Sequence, residues 1–405
     1  MPDIPRVRLT VLMLVALAAC PLLMAAQQPA QQAGRGGAQF PGGTNSDGSL
    51  RPSAPLTRLF TQDAYTEYAL LDPGSASFRI RFLPEDTRVG ATELVNATRG
   101  GSEGGDIEVY DPRTGLPLEF TYAQQGNDPD AHAIRAKLPR PVPEGGIGRV
   151  LIYKTYKDER TYMMNGEDIV WVRSLSGYRL GVILPKGFAL LSSNVAAHVT
   201  ATSDGRLKLA FANPSGQSNP VTIHARRTAA AFTAQAFTDV FFDDMKTLYD
   251  LDRPESGRVQ VEQTYSDYRK GATTQLDSLS YLALNSLKVV DLDTGKTLTP
   301  SIPRNGRTTV PLEVPITNDK QSAHLRLTGT IQDRNYRLVN GALIFDRTLR
   351  GLRNTVLLPA GWDLESASQA GTIGRYQGRT FVAFINLNAE NAYRVVIRAR
   401  RAAAR

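Results

Sequence analysis

The chain has 405 residues, and 47 basic against 39 acidic side chains give it a formal net charge of +8. Hydrophobic residues at 41% and charged residues at 21% are typical of a soluble globular protein of two or three domains, and exclude a polytopic membrane protein, a coiled coil and a wholly disordered chain. One cysteine excludes a disulfide framework or a thiolate metal cage, and four scattered histidines leave little for a histidine metal site.

Residues 1–26 have the pattern of a secretory signal. Arg6 and Arg8 precede the apolar stretch Leu9–Ala19, and small residues end the segment at Ala26. The shortness of the apolar core argues against a membrane-spanning anchor. We therefore predict an exported protein of the periplasm, the cell surface or the medium.

The single cysteine offers a second interpretation of the same segment. The Leu-Ala-Ala-Cys sequence that ends at Cys20 resembles a bacterial lipobox, in which Cys20 would be lipidated and would become the mature amino terminus. The four residues after Cys20 are apolar, whereas a lipoprotein normally turns polar there. We favour cleavage after Ala26, with lipidation and membrane association through Cys20 as the alternative.

Residues 27–55 follow as a segment rich in Gln, Gly, Ala and Pro, without apolar periodicity. This composition predicts a disordered linker between the export signal and the folded part.

The rest of the chain contains an internal repeat of two similar segments. Between 160 and 188, ten of 29 positions match the residue found 174 positions later, where chance predicts about one in fifteen. The matches include Arg160/Arg334, Tyr162/Tyr336, Leu175/Leu349, Gly177/Gly351 and Pro185/Pro359. We predict two units, 56–227 and 237–401, joined by an Ala-rich junction at 228–236 and followed by a basic tail at 402–405.

Within each unit the apolar residues recur with a period of two. Phe78, Ile80 and Phe82 alternate with arginines, which is typical of a half-buried strand. Turn sequences such as Asp111–Gly115 and Asp291–Gly295 separate these runs. Because long helical patterns are missing between them, we predict an all-β fold of two tandem, internally duplicated antiparallel β-sandwich domains.

One motif suggests a serine nucleophile. Gly100–Gly104 is a literal G-x-S-x-G, which needs a strand before it and a helix after it to present the hydroxyl. The strand-like run Ile107–Tyr110 follows instead, and the second unit has no equivalent serine. We interpret the motif as a flexible glycine loop.

The candidate motifs for a metal or a cofactor are likewise incomplete. Asp291–Gly295 resembles the opening of a calcium loop, but its twelfth position is Ile302 instead of a bidentate acid. The histidines are too far apart for an H-E-x-x-H site, and the chain has no P-loop or dinucleotide fingerprint. These histidines are His132, His198, His224 and His324. We predict no metal and no cofactor.

Aromatic and basic residues recur at equivalent positions of the two units. Trp171 aligns with Phe345 and Trp362 with Phe188, which favours core packing over a sugar-binding platform. Three arginine pairs recur as well, and their repetition favours a structural role such as an ion pair or a carbonyl clamp. These pairs are Arg173/Arg347, Arg179/Arg353 and Arg206/Arg379.

The last fifteen residues are strongly basic. They carry no acid and five arginines, which are Arg394, Arg398, Arg400, Arg401 and Arg405. The cluster could attract an acidic partner such as a lipid headgroup or a cell-wall polymer. We favour a solvated strand face, because Arg394, Arg398 and Arg400 fall on one side of a strand.

One segment resembles a known family. Leu138–Gly146 runs into the apolar strand Val150–Tyr156, and this order is similar to the late strands of the amino-terminal, non-catalytic β-domain of gluzincin-type aminopeptidases. The catalytic zinc motif of that family is absent from the sequence, so the resemblance implies a β-domain of that shape and carries over no catalytic residue. The whole chain also resembles exported bacterial tandem β-sandwich proteins, which implies no activity.

Two functions are compatible with these patterns. The first is an exported, non-enzymatic protein that binds or scaffolds an envelope protein or polymer, with no nucleic acid as partner. The alternative is a hydrolase acting on peptide or glycan, with a pair of carboxyl groups at the junction of the two repeats. Two facing carboxyl groups in an inter-unit cleft would favour the hydrolase. The catalytic residues of such an enzyme are unknown from the sequence.

Overall fold

The fold is almost entirely β-structure. The computed structural model describes residues 64–98, 103–127, 131–175, 177–213, 218–230, 232, 244–276, 285–301, 309–388 and 391–402. The strands of the first half, here the first unit, are β1 (Ala64–Leu70), β2 (Ser77–Asp86), β3 (Glu93–Ala97), β4 (Glu103–Tyr110), β5 (Phe120–Gln124), β6 (His132–Lys137), β7 (Gly148–Arg149), β8 (Leu151–Lys157), β9 (Tyr162–Asn165), β10 (Asp168–Leu175), β11 (Arg179–Ile183), β12 (Phe188–Ser193), β13 (His198–Ala201), β14 (Leu207–Ala212) and β15 (Asn219–Arg227).

The strands of the second half, here the second unit, follow the same succession. They are β16 (Lys246–Leu251), β17 (Arg258–Asp267), β18 (Thr274–Leu276), β19 (Asn285–Asp291), β20 (Thr297–Leu298), β21 (Thr309–Pro311), β22 (Ala323–Gln332), β23 (Tyr336–Val339), β24 (Ala342–Leu349), β25 (Arg353–Leu357), β26 (Trp362–Ala367), β27 (Thr372–Tyr376), β28 (Arg379–Ile385) and β29 (Tyr393–Arg401). A single 3-10 turn follows the opening strand of each unit, at Pro73–Ser75 and at Pro254–Ser256.

Each unit pairs a large sheet with a four-stranded sheet. The large sheet of the first unit has the order β13-β14-β11-β1-β2-β8-β4, and that of the second has β27-β28-β25-β16-β17-β22-β19, extended by β20. The four-stranded sheets are β12-β15-β10-β9 and β26-β29-β24-β23. The same order therefore recurs strand for strand, as expected for two copies of one β-sandwich.

The strand directions depart from the prediction at one place in each unit. β1 pairs with β11, and β16 with β25, in parallel, whereas the other described pairs in the sheets are antiparallel. A parallel pair needs a long crossover, and the strands between β1 and β11 supply it. The antiparallel prediction is therefore corrected for these two pairs.

The cores lie between the large and the four-stranded sheets. On β2, Phe78 and Ile80 are buried, while Arg79 and Arg81 lie on the opposite face, as the period of two requires. The aromatic residues that align between the units, Trp171, Phe345, Trp362 and Phe188, are all at most 5% exposed. They pack inside the cores and do not form a sugar-binding platform.

The first unit carries one further sheet. The three-stranded sheet β3-β6-β5 covers a separate apolar cluster that contains Leu94, Ile134 and Ile152. In the second unit, β18 and β21 form a two-stranded sheet. The predicted unit boundaries stay a prediction, because the junction at 228–236 lies largely outside the described residues.

Candidate functional site at the interface of the two units

The two units meet through equivalent segments. The Ile147 N–H donates to the Leu292 carbonyl at 2.8 Å, and the Ser322 N–H donates to the Pro112 carbonyl at 2.7 Å. Pro112 and Leu292 occupy equivalent places in the turns after β4 and β19, and Ile147 and Ser322 lie equally far before the ends of β8 and β22. The reciprocal contacts make the interface self-complementary, like that of a twofold dimer.

Glycines let these turns approach the opposite unit. Gly115 and Gly295 both have positive φ, 72° and 73°, which favours glycine. A Cβ atom on Gly115 would lie 2.8 Å from Asn318 of the second unit, and one on Gly295 would lie 3.1 Å from Pro143 of the first. A side chain at either place would therefore disturb both the turn and the interface.

A buried ion pair crosses the interface. The Arg149 Nε donates to Asp293 Oδ1 at 2.7 Å, and the Arg149 NH1 donates to the Ser322 hydroxyl at 3.1 Å. The two charged side chains are 1% and 5% exposed. Burial alone would lower the pKa of Arg149, but Asp293 raises it above its ordinary value. This guanidinium stays charged and binds the turn where the sequence resembles a calcium loop.

A second arginine reaches the same turn. Arg113 NH2 donates to Glu313 Oε2 at 2.6 Å, and its Nε lies 3.5 Å from Asp291 Oδ2. Asp291 Oδ1 accepts the N–H of Asp293 at 2.9 Å. Burial and the neighbouring Asp293 raise the pKa of Asp291, against the attraction of Arg113. The acids of this turn are thus held by arginines and by the turn's own backbone.

These contacts bear on the predicted carboxylate pair. Asp291 and Asp293 belong to one turn, and their oxygens accept backbone N–H groups and guanidinium groups, while Glu313 is held by Arg113. A glycosidase-type site needs two carboxyl groups that face each other across the substrate. These three acids have a different arrangement, in which each lies next to an arginine.

An aromatic and cationic cluster lies on the outer face of the first large sheet. The Tyr65 hydroxyl donates to Glu67 at 2.6 Å, and Lys208 Nζ lies 2.7 Å from the same carboxylate oxygen. Burial would raise the pKa of Glu67, but Lys208 and Tyr65 hold it below its usual value. Three cations approach the Tyr65 ring to between 5.1 and 5.7 Å of its centroid, namely Arg81, Arg179 and Lys208.

The equivalent face of the second unit is apolar at two of these positions. Leu248 stands where the first unit has Glu67, and Phe381 stands where it has Lys208. These residues pack with Leu357 in a cluster of their own. Tyr268 of the second unit nevertheless reaches the first, since its ring lies 5.9 Å from Arg81. The charged cluster therefore belongs to one unit and borders the interface.

The recurring arginines have structural contacts that differ between the units. Arg379 donates to the carbonyl of Leu358 at 2.8 Å and pairs with Asp250 at 2.5 Å, which is a carbonyl clamp and an ion pair together. Arg206 pairs with the neighbouring Asp204 at 2.8 Å. Arg179 lies over the ring of Tyr65, and Arg353 lies over that of Tyr178.

The basic carboxyl terminus is largely neutralised. Arg394 pairs with Asp346, Arg398 and Arg400 pair with Glu365, and Arg401 pairs with Glu255; these four arginines thus share three acids. Arg405 lies outside the described residues. The contacts favour the solvated face over an anion-binding surface, because little net positive charge is left on it.

Several predicted site residues lie outside the described residues or apart from one another. Cys20 and Ala26 fall in the first group, as do Gly100–Ser102, and β4 begins within that motif, at Glu103. In the described parts of the chain, no group of three or more His, Cys, Asp or Glu side chains is placed to hold a metal ion. No helix among the described residues has the length and apolarity that a membrane crossing requires.

Sequence reasoning missed Arg149, Arg113 and Lys154. The two arginines pair with residues of the other unit, so no local pattern indicates them. Lys154 differs, because it lies between Ile152 and Tyr156 on one face of β8, and both neighbours are buried. The alternation of that strand already places a lysine at an inward position, and this signal could have found it.

Comparisons with known proteins add little. No protein family matches the chain, and no curated protein is similar to it. Among solved structures, the C-terminal domain of the Streptococcus pyogenes antigen I/II-family protein AspA matches at 9% identity, covering 76% of this chain and 93% of that one. The TM-score of this match is 0.18, and at that value the likeness carries no argument about function. The resemblance to an aminopeptidase β-domain stays a prediction.

Proposed function

We propose that the protein is an exported, non-enzymatic binding or scaffold protein of the bacterial envelope. The proposal rests on the predicted signal and linker, which come from the sequence alone, and on the interface between the units. The acids of this interface are held by Arg149, Arg113 and backbone amides. This arrangement supports a role in holding the two sandwiches together over a role in hydrolysis.

The energetics of that interface support the same role. Burying an ion pair such as Arg149 with Asp293 gains little net stability, because both ions lose their hydration. The pair does fix which groups must meet, since either partner alone would be a buried, uncompensated charge. Such a contact suits a protein whose two sandwiches keep one mutual orientation while other surfaces bind a partner. The partner in this proposal is an envelope protein or polymer.

In the experiment, the full chain is expressed with a carboxy-terminal tag in a Gram-negative host, and the cells are then separated into envelope and soluble fractions. We expect the mature protein in the envelope fraction, together with a partner that co-purifies in constant ratio and is identified by mass spectrometry. The mass of the mature amino terminus decides between cleavage after Ala26 and lipidation at Cys20. Recovery without envelope association or partner would overturn the proposal.

A matched variant separates the two routes to the envelope. Cys20→Ser removes the lipidation site and leaves the folded units unchanged. Envelope association that survives this variant supports a bound partner, while association that disappears supports a lipid anchor. Hydrolysis of peptidoglycan or casein that Asp291→Asn abolishes would overturn the non-enzymatic role in favour of the carboxylate hydrolase.

A further inference from the structure

Two cationic side chains point into the core of the first unit. Lys154 on β8 is 5% exposed, and the side chain of Arg173 on β10 is 6% exposed. The Lys154 Nζ donates to Asn96 Oδ1 on β3 at 2.7 Å. Lys154 Nζ and Arg173 Cζ lie 5.0 and 5.5 Å from the centroid of the same ring, that of Tyr156. Two buried positive charges therefore lie against the same ring.

Aromatic rings enclose the guanidinium group. Arg173 Cζ lies 5.4 Å from the ring centroid of Tyr68 and 5.2 Å from that of Phe78, in addition to Tyr156. Ring faces attract a cation but accept no strong hydrogen bond from it. The rings therefore leave the buried N–H groups of Arg173 NH1 in need of an oxygen or halide acceptor.

The facing carboxylate does not meet this need. Asp158 Oδ2 lies 3.8 Å from Arg173 NH1, which is beyond hydrogen-bond distance. Asp158 Oδ2 accepts the Thr161 hydroxyl at 2.8 Å, and Asp158 Oδ1 accepts the amides of Arg160 and Thr161. The buried NH1 of Arg173 has no hydrogen-bond acceptor among the residues that the structure describes.

The second unit provides a natural control. Its equivalent arginine, Arg347, donates directly to Asp333, which is the counterpart of Asp158. Gly329 stands where the first unit has Lys154, as the registers of β8 on β2 and of β22 on β17 show. One copy of the sandwich thus brings its arginine to an acid and leaves Nε without an acceptor among the described residues, while the other adds a second cation and leaves NH1 without one.

The two cations also affect each other's charge. Burial lowers the pKa of Lys154 to about 7, and the positive charge of Arg173 acts in the same direction. The charged neighbour that acts on the amine is Arg173 on β10, and the ring against which the amine lies is that of Tyr156; Asp158 faces Arg173. A negative charge next to Lys154 and Arg173 would reverse this effect and favour the ammonium form.

We infer that Lys154 and Arg173 form a buried binding site for one small monovalent anion, such as a carboxylate of the size of formate or a halide. With Lys154 protonated, the two cations and Asp158 leave one positive charge, which one such anion neutralises. The anion accepts the open N–H of Arg173 and an N–H of Lys154. Burial by three rings restricts the ligand to a few atoms. This inference does not depend on the proposed function.

The test is thermal unfolding at pH 6 and constant ionic strength, with sodium gluconate replaced stepwise by sodium formate or sodium chloride. Gluconate is too large for the site. We expect the unfolding midpoint to rise with the logarithm of the anion concentration above Kd, by about 2 to 5 °C at a hundredfold excess. Because the bound anion favours the ammonium form of Lys154, the apparent Kd at pH 8.5 should be several-fold weaker than at pH 6.

Two variants locate the effect. Lys154→Met removes one cation and replaces it with an apolar side chain of similar length, so that the protein still folds and the rise disappears. Lys157→Met removes a lysine from the exposed end of the same strand and should keep the rise.

Three results would overturn the inference. One is the absence of any response to either anion. Another is an equal response to formate and to chloride in all three proteins, which indicates a general salt effect. The last is a response to one of the two anions that Lys154→Met retains, because the anion would then bind elsewhere.

Discussion

The first and second units carry the same arginine at equivalent places, but only the second unit closes it onto an aspartate. Arg347 is hydrogen-bonded to Asp333, while Arg173 remains 3.8 Å from Asp158. The connecting turn explains the difference. Between β8 and β9 it has four residues, 158–161, and between β22 and β23 it has three, 333–335. The longer turn supplies a threonine hydroxyl that takes the aspartate oxygen which the second unit offers to its arginine.

Strand order and polar contacts thus depend on different features of the sequence. The strand order survives because the apolar alternation is kept in both units. Polar contacts depend on single residues and on turn length, and they change when one residue is added. The same holds on the outer faces, where Glu67 and Lys208 of the first unit correspond to Leu248 and Phe381 of the second.

The largest expected effect lies at the interface that joins the two units. Arg149→Met removes the partner of Asp293 and leaves a carboxylate buried without its cation, which should lower the free energy of unfolding by about 3 to 5 kcal/mol. Chemical denaturation at pH 7 measures this change. Arg135→Met, which removes a half-exposed partner of Glu93, should change it by less than about 1 kcal/mol.

A double variant checks the cause. Arg149→Met combined with Asp293→Leu removes both charges and should recover most of the lost stability. If the single variant costs no more than Arg135→Met, the buried pair does not hold the units together as described.

The next effect comes from replacing Lys154, a buried cation that the second unit lacks. Lys154 has a pKa of about 7 in the fold against about 10.5 for a free lysine, so the unfolded chain binds its proton more tightly. Stability should therefore rise between pH 7 and pH 10 in the natural protein. Lys154→Met should remove that slope and stabilise the protein at pH 6 to 7 by about 3 kcal/mol, measured in low-chloride buffer. A slope that persists in the variant contradicts the assignment to Lys154.

The smallest effect sharpens the comparison of the two turns. Thr161→Val keeps the shape of the side chain but removes the hydroxyl from Asp158 Oδ2, so that this oxygen is available to Arg173. We expect a loss of about 1 kcal/mol or less, because one hydrogen bond replaces another. The response to formate should weaken at the same time. An unchanged response would mean that Asp158 and the anion do not compete for Arg173.

Much of the fold could be predicted from the sequence. The alternation at Phe78 and Ile80 and the aligned aromatic pair Trp171 and Phe345 indicate the inward faces, and the repeat indicates two similar sandwiches. The parallel pair of β1 with β11 could not be predicted, because a period of two is the same for either strand direction. Direction depends on topology, which local pattern does not carry.

The interface was much less predictable. Arg149 and Asp293 are 144 residues apart, and each looks like an ordinary surface charge in its local sequence. Only the folded chain brings them together. Arg173 was predicted to have a structural role shared with Arg347, but turn length changed its contacts. Lys154 was visible in the alternation of β8 and was overlooked because no motif contains it.

The parallel pairing also has a consequence for how the chain folds. β1 lies inside its sheet between β2 and β11. Its residue Tyr65 pairs with Arg179, more than a hundred residues later in the chain, and Lys246 of β16 pairs with Arg353 at a similar separation. Contacts of such separation carry a large loop-closure cost and slow folding. Until β11 is available, one edge of the β1–β2 hairpin is open to pairing with other chains. During synthesis or export, each sandwich is therefore most prone to aggregate in the interval after its first hairpin has formed. That interval ends when the parallel partner of its first strand, β11 or β25, pairs with the hairpin.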